Sequence, residues 1–221
     1  MGPGLWTVSA EFSLAGAAFG TRMTVVRIGE GGLALIAPIE IDDALALELA
    51  SLGKVRAIIA PNAFHHIYFL AASTRYPDAR CFLAEGVEKK LGQRPPGAVD
   101  LTAMPDALWQ SDLSQVVLEG APLTNEVMFF HTASRTLILT DLCFNFDPPP
   151  GGWTGFMLRL AGGHGRMAVS RLMRIGLKDR DKVRASIGRV LEWDFDNLIV
   201  THGHNVRGGA RERFLAATGD L

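Results

Sequence analysis

Four side chains able to hold a metal ion or move a proton stand where apolar runs come to an end. Val55 to Ala60 (VRAIIA) is rich in β-branched residues and has strand length, and Pro61-Asn62 breaks it so that His65 and His66 emerge just past its end. Thr136 to Asp141 (TLILTD) is a second apolar run, closing on an acid, and LIVTHGH from Leu198 is a third, closing on His202 with His204 two residues on. Imidazole and carboxylate together are the donor set that divalent transition metals prefer. The crevice beyond the carboxyl ends of strands is also where open α/β sheets bind their ligands. Three or four protein ligands leave a coordination position for water, and a divalent cation there acidifies that water and polarises a carbonyl or phosphoryl oxygen.

The order of these segments resembles the metallo-β-lactamase fold superfamily. Its members carry a strand followed by His-x-His-x-Asp-His, later a strand ending in Asp, and near the end a strand ending in His. The resemblance runs from about Leu5 to the last helix. It is closest to a degenerate branch whose first motif reads Pro-Asn-x-x-His-His, matched by Pro61-Asn62-Ala63-Phe64-His65-His66. By this alignment His66 takes the place of the last residue of the first motif, His65 that of its Asp, Asp141 that of the metal-bridging acid, and His202 that of the final histidine. Departures are equally specific. Pro61 and Ala63 occupy the positions of the first two motif histidines, and Gly120-Ala-Pro-Leu-Thr124 lacks the histidine expected before the penultimate strand. The resemblance therefore implies one retained metal subsite built from His65, His66, Asp141 and His202, holding one divalent transition metal, zinc first and iron or manganese next. Asp141 would hold metal and orient water, and His65 or His204, if unligated, would serve as general base or acid. The implied activity is hydrolysis of a small-molecule ester, lactone, thioester, amide or phosphoester. The alternative is a metal-free binding or scaffold protein on the same fold, since folds outlive their sites and Pro61 and Ala63 cannot bind a metal.

Each candidate also has a plainer role. One of the adjacent histidines can cap a helix starting near Ile67 while the other is exposed; Asp141 can cap the turn that follows it; His202 can be a core-edge ring satisfied by backbone. His131 falls in the turn before Arg135, at the wrong end of the strand that delivers Asp141, and is expected at the surface. His164, between glycines, fits an exposed loop better than a mobile lid, and Cys143 fits a buried thiol. The basic run from Arg166 to Arg189, interspersed with Asp179 and Asp181, is expected to be a solvated helix face.

The elements that must position these residues follow from hydrophobic pattern and turn chemistry. Leu5 to Ser9, Arg22 to Ile28 and Leu33 to Ala37 are expected as an antiparallel meander. A helix follows, capped by Asp42 and ended by Gly53, with Leu45, Leu49 and Leu52 at helical spacing. The β-α-β rhythm continues with the strand at Val55, a helix over Ile67 to Thr74, and a strand over Ala79 to Ala84. One or two helical turns are expected from Gly86 to Leu91, and Gln93 to Gly97 is a loop. Ser114 to Leu118, Glu126 to Phe130 and Thr136 to Asp141 predict three strands. Trp153 to Gly176 predicts two helices split at Gly162-Gly-His-Gly165, and Asp179 to Trp193 predicts the most regular helix, with Val183, Ile187, Val190 and Leu191 as its apolar stripe. A last strand over Phe195 to Val200 and a helix over Gly208 to Thr218 complete the chain. Mixed strands with helices outside predict a four-layer αββα sandwich of two mixed sheets, a single domain over 1–221 with halves of about 1–104 and 105–221.

The 221 residues are 48% hydrophobic, enough to bury one large core unaided. A formal charge of −1 gives the whole chain no positive field for a nucleic-acid backbone or an anionic membrane, so the expected partner is a small molecule, with a homodimer as the assembly to test. Two cysteines, Cys81 and Cys143, predict buried reduced thiols and a cytoplasmic protein. Glu11 and the lack of a basic start argue against a secretory signal in the first twenty residues.

Overall fold

A computed structural model describes residues 2–221. The first half of the chain runs β1 (Leu5–Ala10), a small hairpin of β2 (Ser13–Leu14) and β3 (Ala17–Ala18), β4 (Thr21–Ile28), β5 (Gly32–Ile36), α1 (Asp43–Leu52), β6 (Val55–Ala60), α2 (Phe69–Arg75), β7 (Arg80–Leu83), α3 (Val87–Leu91) and β8 (Val99–Asp100). The second runs β9 (Leu113–Val117), β10 (Val127–His131), β11 (Thr136–Ile138), β12 (Phe144–Asn145), α4 (Gly152–Ala161), β13 (Met167–Ala168), α5 (Arg171–Gly176), α6 (Arg180–Leu191), β14 (Asn197–Ile199), β15 (Val206–Arg207) and α7 (Ala210–Thr218). One sheet has the order β1-β4-β5-β6-β7-β8, antiparallel through β5 and parallel from there on; the other has the order β15-β14-β11-β10-β9, with only β11 and β14 parallel.

Side-chain alternation along the second sheet divides the core into two layers. Val127, Phe129, Ile138 and Ile199 pack between the sheets with Val25, Leu35 and Ile58 of the first. Their neighbours Met128, Phe130, Leu137, Leu139, Leu198 and Val200 face the opposite way, onto Met173, Val183, Ile187 and Phe214 of the outer helices. The first sheet is covered on its outer face by Leu49, Phe69 and Val87 of α1, α2 and α3. The result is the four-layer αββα sandwich, with Leu137, Leu139, Ile58, Ile199 and Val200 all buried as expected.

Local chemistry explains most of the elements. Asp42 Oδ1 accepts from the Leu45 N–H at 2.8 Å and starts α1. Gly53 ends it because a Cβ there would lie 2.3 Å from the Gly31 carbonyl oxygen. β6 is buried at every position but Arg56, as a strand flanked by parallel neighbours and covered on both faces should be. The hairpin of β2 and β3, with its alanines and glycine, carries no apolar pattern and has no counterpart among the sequence expectations. Both cysteines are buried and free. Among the described residues no helix is long and apolar enough to cross a membrane.

Three expectations need correction. The run toward Asp141 leaves the sheet early: β11 ends at Ile138, and only the Leu139 N–H still reaches the neighbouring strand, at Ile199 O. α2 begins at Phe69 rather than Ile67, because residues 63–68 form turns. His131 is 3% exposed, not a surface residue. It is the last residue of β10, flanked by Leu113 and Thr136 in mid-sheet, and its Nδ1 is 2.7 Å from Ser134 Oγ.

Candidate metal centre

The carboxyl ends of β6, β11 and β14 converge on one point. His65, Asp141 and His202 bring one donor atom each to within 4.8 Å of the others. His65 Nε2 lies 3.2 Å from Asp141 Oδ2, and His202 Nε2 lies 3.3 Å from Asp141 Oδ1. Asp141 is 6% and His202 9% exposed, so the carboxylate stands between two imidazoles with almost no water.

Each of the three is fixed by groups behind it. His202 Nδ1 donates to the Gly20 carbonyl at 2.6 Å, which leaves the lone pair of a neutral ring on Nε2, facing the carboxylate. Its ring packs edge-on against Phe144, with centroids 5.1 Å apart. The backbone turn beyond it is clamped. The Asn145 N–H donates to His202 O, the His204 N–H donates to Asn145 O at 2.7 Å, and Asn145 Nδ2 donates to His204 O at 2.7 Å. Gly203, at φ +91°, is required there, since a Cβ would sit 2.0 Å from the Asn145 oxygen. Arg22 of β4 holds the same turn from the other side. Its guanidinium donates to Val200 O, to Gly203 O at 2.9 Å and to Asn205 Oδ1 at 3.1 Å, and burial lowers its pKa.

Two further residues organise Asp141 and His65; sequence reasoning took Asn62 only as a strand breaker and motif position and Glu126 only as the start of a strand. Asn62, fully buried, donates through Nδ2 to Asp141 Oδ2 at 2.7 Å and to Thr140 Oγ1 at 2.8 Å. Its Oδ1 accepts from the Phe64 N–H at 2.8 Å and the His65 N–H at 3.1 Å. One amide thus aims the carboxylate and shapes the turn that carries His65. Glu126, also fully buried, accepts three consecutive backbone N–H groups, from Thr140 at 2.7 Å, Asp141 at 2.9 Å and Leu142 at 2.7 Å. Its carboxylate substitutes for the strand partner that these residues lose when β11 stops, which is the physical reason the strand ends early. The available sequence signal was a lone acid directly before the apolar run Val127-Met-Phe-Phe130; an acid at such a position is either exposed or paired.

Charge is arranged to match. Burial alone would raise the Asp141 pKa, but the charge of His65 and the nearness of both imidazoles, at 3.2 and 3.3 Å, hold it well below the usual carboxylate range. Burial would lower His65, and the charges of Asp141 and Glu126 outweigh it and raise its pKa. Glu126 is pushed up to about 7 by burial and by Asp141, its three N–H donors pulling the other way. Cys143, two residues past Asp141, is pushed well above the usual thiol range by burial, so it is a protonated thiol.

The remaining candidates lie elsewhere. His66 is not brought to the cluster: its Nδ1 sits 3.0 Å from the Ala63 carbonyl, within its own turn, because successive residues of a turn point apart. His131 is at the opposite end of β10 and β11 from Asp141. His164 bridges Phe146 through backbone. His204 is exposed and lines a cavity of about 370 Å³ with Phe19, Phe146 and Pro148 to Pro150.

The residues present fit a cation. His65 Nε2 is buried and has no hydrogen-bond partner in acceptable geometry, and two imidazoles with one carboxylate are a three-donor set that leaves open positions on zinc, iron or manganese.

The fold and this cluster define the class. A metallo-β-lactamase from Pontibacter korlensis matches with a TM-score of 0.66 at 11% identity, over 100% of this chain and 97% of that one. One from Hirschia baltica matches with a TM-score of 0.56 at 13% identity, over 99% and 95%. The metal-soaked flavodiiron core Flv1 from Synechocystis sp. matches with a TM-score of 0.65 at 12% identity, over 98% of this chain and 58% of that one. The chain therefore has the metallo-β-lactamase fold. Within it, residues 3–151 match the family described as Domain of unknown function (DUF4336), and the chain belongs to that family. No curated protein matches the sequence.

Proposed function

We propose that the chain is a metal-dependent hydrolase of the metallo-β-lactamase superfamily, in a degenerate branch with one metal subsite, acting on a small-molecule ester, lactone, thioester, amide or phosphoester. The observation that carries this proposal is the buried, unpartnered Nε2 of His65 beside a carboxylate that also faces His202 Nε2. A buried ring nitrogen without a partner is costly unless something with positive charge stands there. His65, Asp141 and His202 would hold the cation. When bound, a divalent metal supplies a Lewis acid for the substrate oxygen and acidifies water near neutral pH.

The protein's own residues supply the rest. The Gly20 carbonyl fixes the His202 tautomer, Asn62 fixes the direction of the Asp141 carboxylate, Glu126 holds the Asp141 backbone, and Phe144 packs against the His202 ring. Because His65 belongs to the cluster, it is a ligand rather than the general base, and His204, exposed at the rim of the neighbouring cavity, is placed to move a proton instead. Asp141 supplies the one anionic donor of the three. The metal-free alternative is a binding protein in which a proton occupies the same gap.

Metal content of the purified protein and of variants separates the two. At most one tightly held transition metal per chain is expected, since Pro61 and Ala63 replace ligands of a second subsite. Asp141→Asn should lose it, and combining this change with His202→Ala should add little, because residues acting as one unit are non-additive. His66→Ala, His131→Ala and His164→Ala should retain it. Metal in full amount in Asp141→Asn would refute the site, and no metal uptake by the wild-type protein from any of zinc, iron and manganese would establish the alternative.

A further inference from the structure

Between Asp147 and Asp179 the chain has no acidic residue, yet Arg159, Arg166, Arg171, Arg174 and Lys178 all fall in that stretch. A protein of formal charge −1 thus concentrates five cations in one segment and leaves −6 on the remainder. Among the described residues the same segment holds five of the twelve large hydrophobic residues that are exposed: Trp153 at 53%, Phe156 at 47%, Leu160 at 52%, Leu172 at 64% and Ile175 at 69%. Such enrichment of cations and apolar side chains together is not what a solvated helix face requires.

The parts are contiguous. Trp153, Phe156 and Leu160 follow helical spacing along one side of α4, with the first two rings stacked at 5.4 Å. The amino end of α4 is docked on the β2–β3 hairpin, through Trp153 Nε1 donating to Ala15 O at 2.9 Å and the Ala18 N–H donating to Thr154 Oγ1 at 3.0 Å. That hairpin exposes Leu14 at 61%. At its carboxyl end, Arg166 donates to Gly162 O, and the Arg171 stem lies against Gly162 itself, 3.6 Å from where a Cβ would be. Leu160, the two arginines and Leu172 therefore adjoin. Arg174 is neutralised by Asp220, whereas Arg159 and Arg171 have no carboxylate partner among the described residues.

We infer that the surface of α4 and α5 docks on an anionic lipid bilayer. Tryptophan and phenylalanine with aliphatic neighbours favour the boundary between headgroups and acyl chains, and arginines beside them pair with lipid phosphates. A nucleic acid would satisfy the arginines but leave the aliphatic side chains in water. A second copy on the same patch would set Arg159, Arg166 and Arg171, which have no carboxylate partner among the described residues, opposite the same three cations, which is unfavourable. The expectation drawn from overall charge, that no field attracts a membrane, considers only the sum; in the proposal the local charge of this segment replaces it.

The full chain is tested by co-sedimentation with phosphatidylcholine vesicles, with and without phosphatidylglycerol. Binding is expected only with the anionic lipid, weakened by added salt. Arg159→Gln with Arg171→Gln should weaken it about fivefold per arginine, and Phe156→Ala with Leu160→Ala by roughly tenfold or more. All four positions are exposed, so unchanged thermal unfolding and unchanged metal content should accompany the loss. Failure to bind either vesicle, equal binding to both, or binding undiminished in the two double variants would overturn the proposal. So would a wild-type dimer in light scattering that Phe156→Ala with Leu160→Ala makes monomeric, since the surface would then be an interface between copies.

Discussion

Replacing Asn62 separates the geometry of the cluster from its donor atoms, because Asn62 touches Asp141 and the His65 turn without being able to replace either. Asn62→Ala removes four hydrogen bonds at 2.7–3.1 Å from a fully buried position. The Phe64 N–H and one oxygen of Asp141 lose their partner, while the His65 N–H keeps a weaker contact with Asn62 O at 3.3 Å. Two groups left unpaired at about 1–3 kcal/mol each give a loss of roughly 2–6 kcal/mol in urea unfolding. With Asp141 free to turn, the metal affinity should fall by about 10–100-fold, the usual effect of removing a group that orients a ligand. Asn62→Asp is the sharper variant. It keeps the acceptor for the turn but sets a second carboxylate where Nδ2 now lies 2.7 Å from Asp141. Two carboxylates at that distance cannot both ionise, so one pKa rises, and the variant should gain stability relative to wild type as pH falls and lose it as pH rises. Chelator competition and urea unfolding across pH read both effects. Wild-type affinity and stability in Asn62→Ala, or a pH-independent Asn62→Asp, would show that the amide does not organise the site.

The pH dependence of the native chain should reverse with metal. The raised pKa of His65 contributes stability that is present below its ordinary 6.5 and lost as pH rises through the folded value, and Glu126 likewise loses its contribution between 4.5 and about 7. Asp141, lowered, contributes at all pH values above the carboxylate range and loses stability only deep in acid. Chelator-treated protein should therefore melt at progressively lower temperature as pH rises through this window. With a divalent metal the trend should run the other way, because protons compete for His65 as pH falls; parallel slopes with and without metal would contradict it. Gly203→Ala should free the clamp between the Asp141 and His202 turns, since its Cβ would meet the Asn145 oxygen at 2.0 Å. Loss of metal with only a few degrees' change in melting temperature is the expected outcome, and unchanged metal content would disprove the clamp.

How far the sequence reveals this protein depends on the range of the interaction concerned. Strands and the caps of α1 were legible because their signals are local: apolar runs, Asp42 three residues before the N–H it receives, and a glycine directly after the helix, although the Gly31 carbonyl that Gly53 lets pass is distant in sequence. Three of the four candidate residues, His65, Asp141 and His202, are brought together, each three to five residues past the end of its strand. His66 could not be distinguished from His65 in the same way, because the choice between adjacent rings is made by a turn that Asn62 shapes. Asn62 in turn acts on residues 78 and 79 positions away, and Glu126 on N–H groups freed only because a strand stops. An asparagine after proline predicts a turn, and an acid at a strand's start predicts exposure; each is misleading here because a distant backbone supplies its partner. That pattern has a physical rationale. A carboxylate between two imidazoles in a nearly dry crevice must be held against both, and local turn chemistry can fix only one end of such a contact. The groups that finish the site are therefore buried polar residues whose partners are distant in sequence, across to the other sheet for Asn62 and beyond the neighbouring strand for Glu126, and they are legible only once the strands are packed.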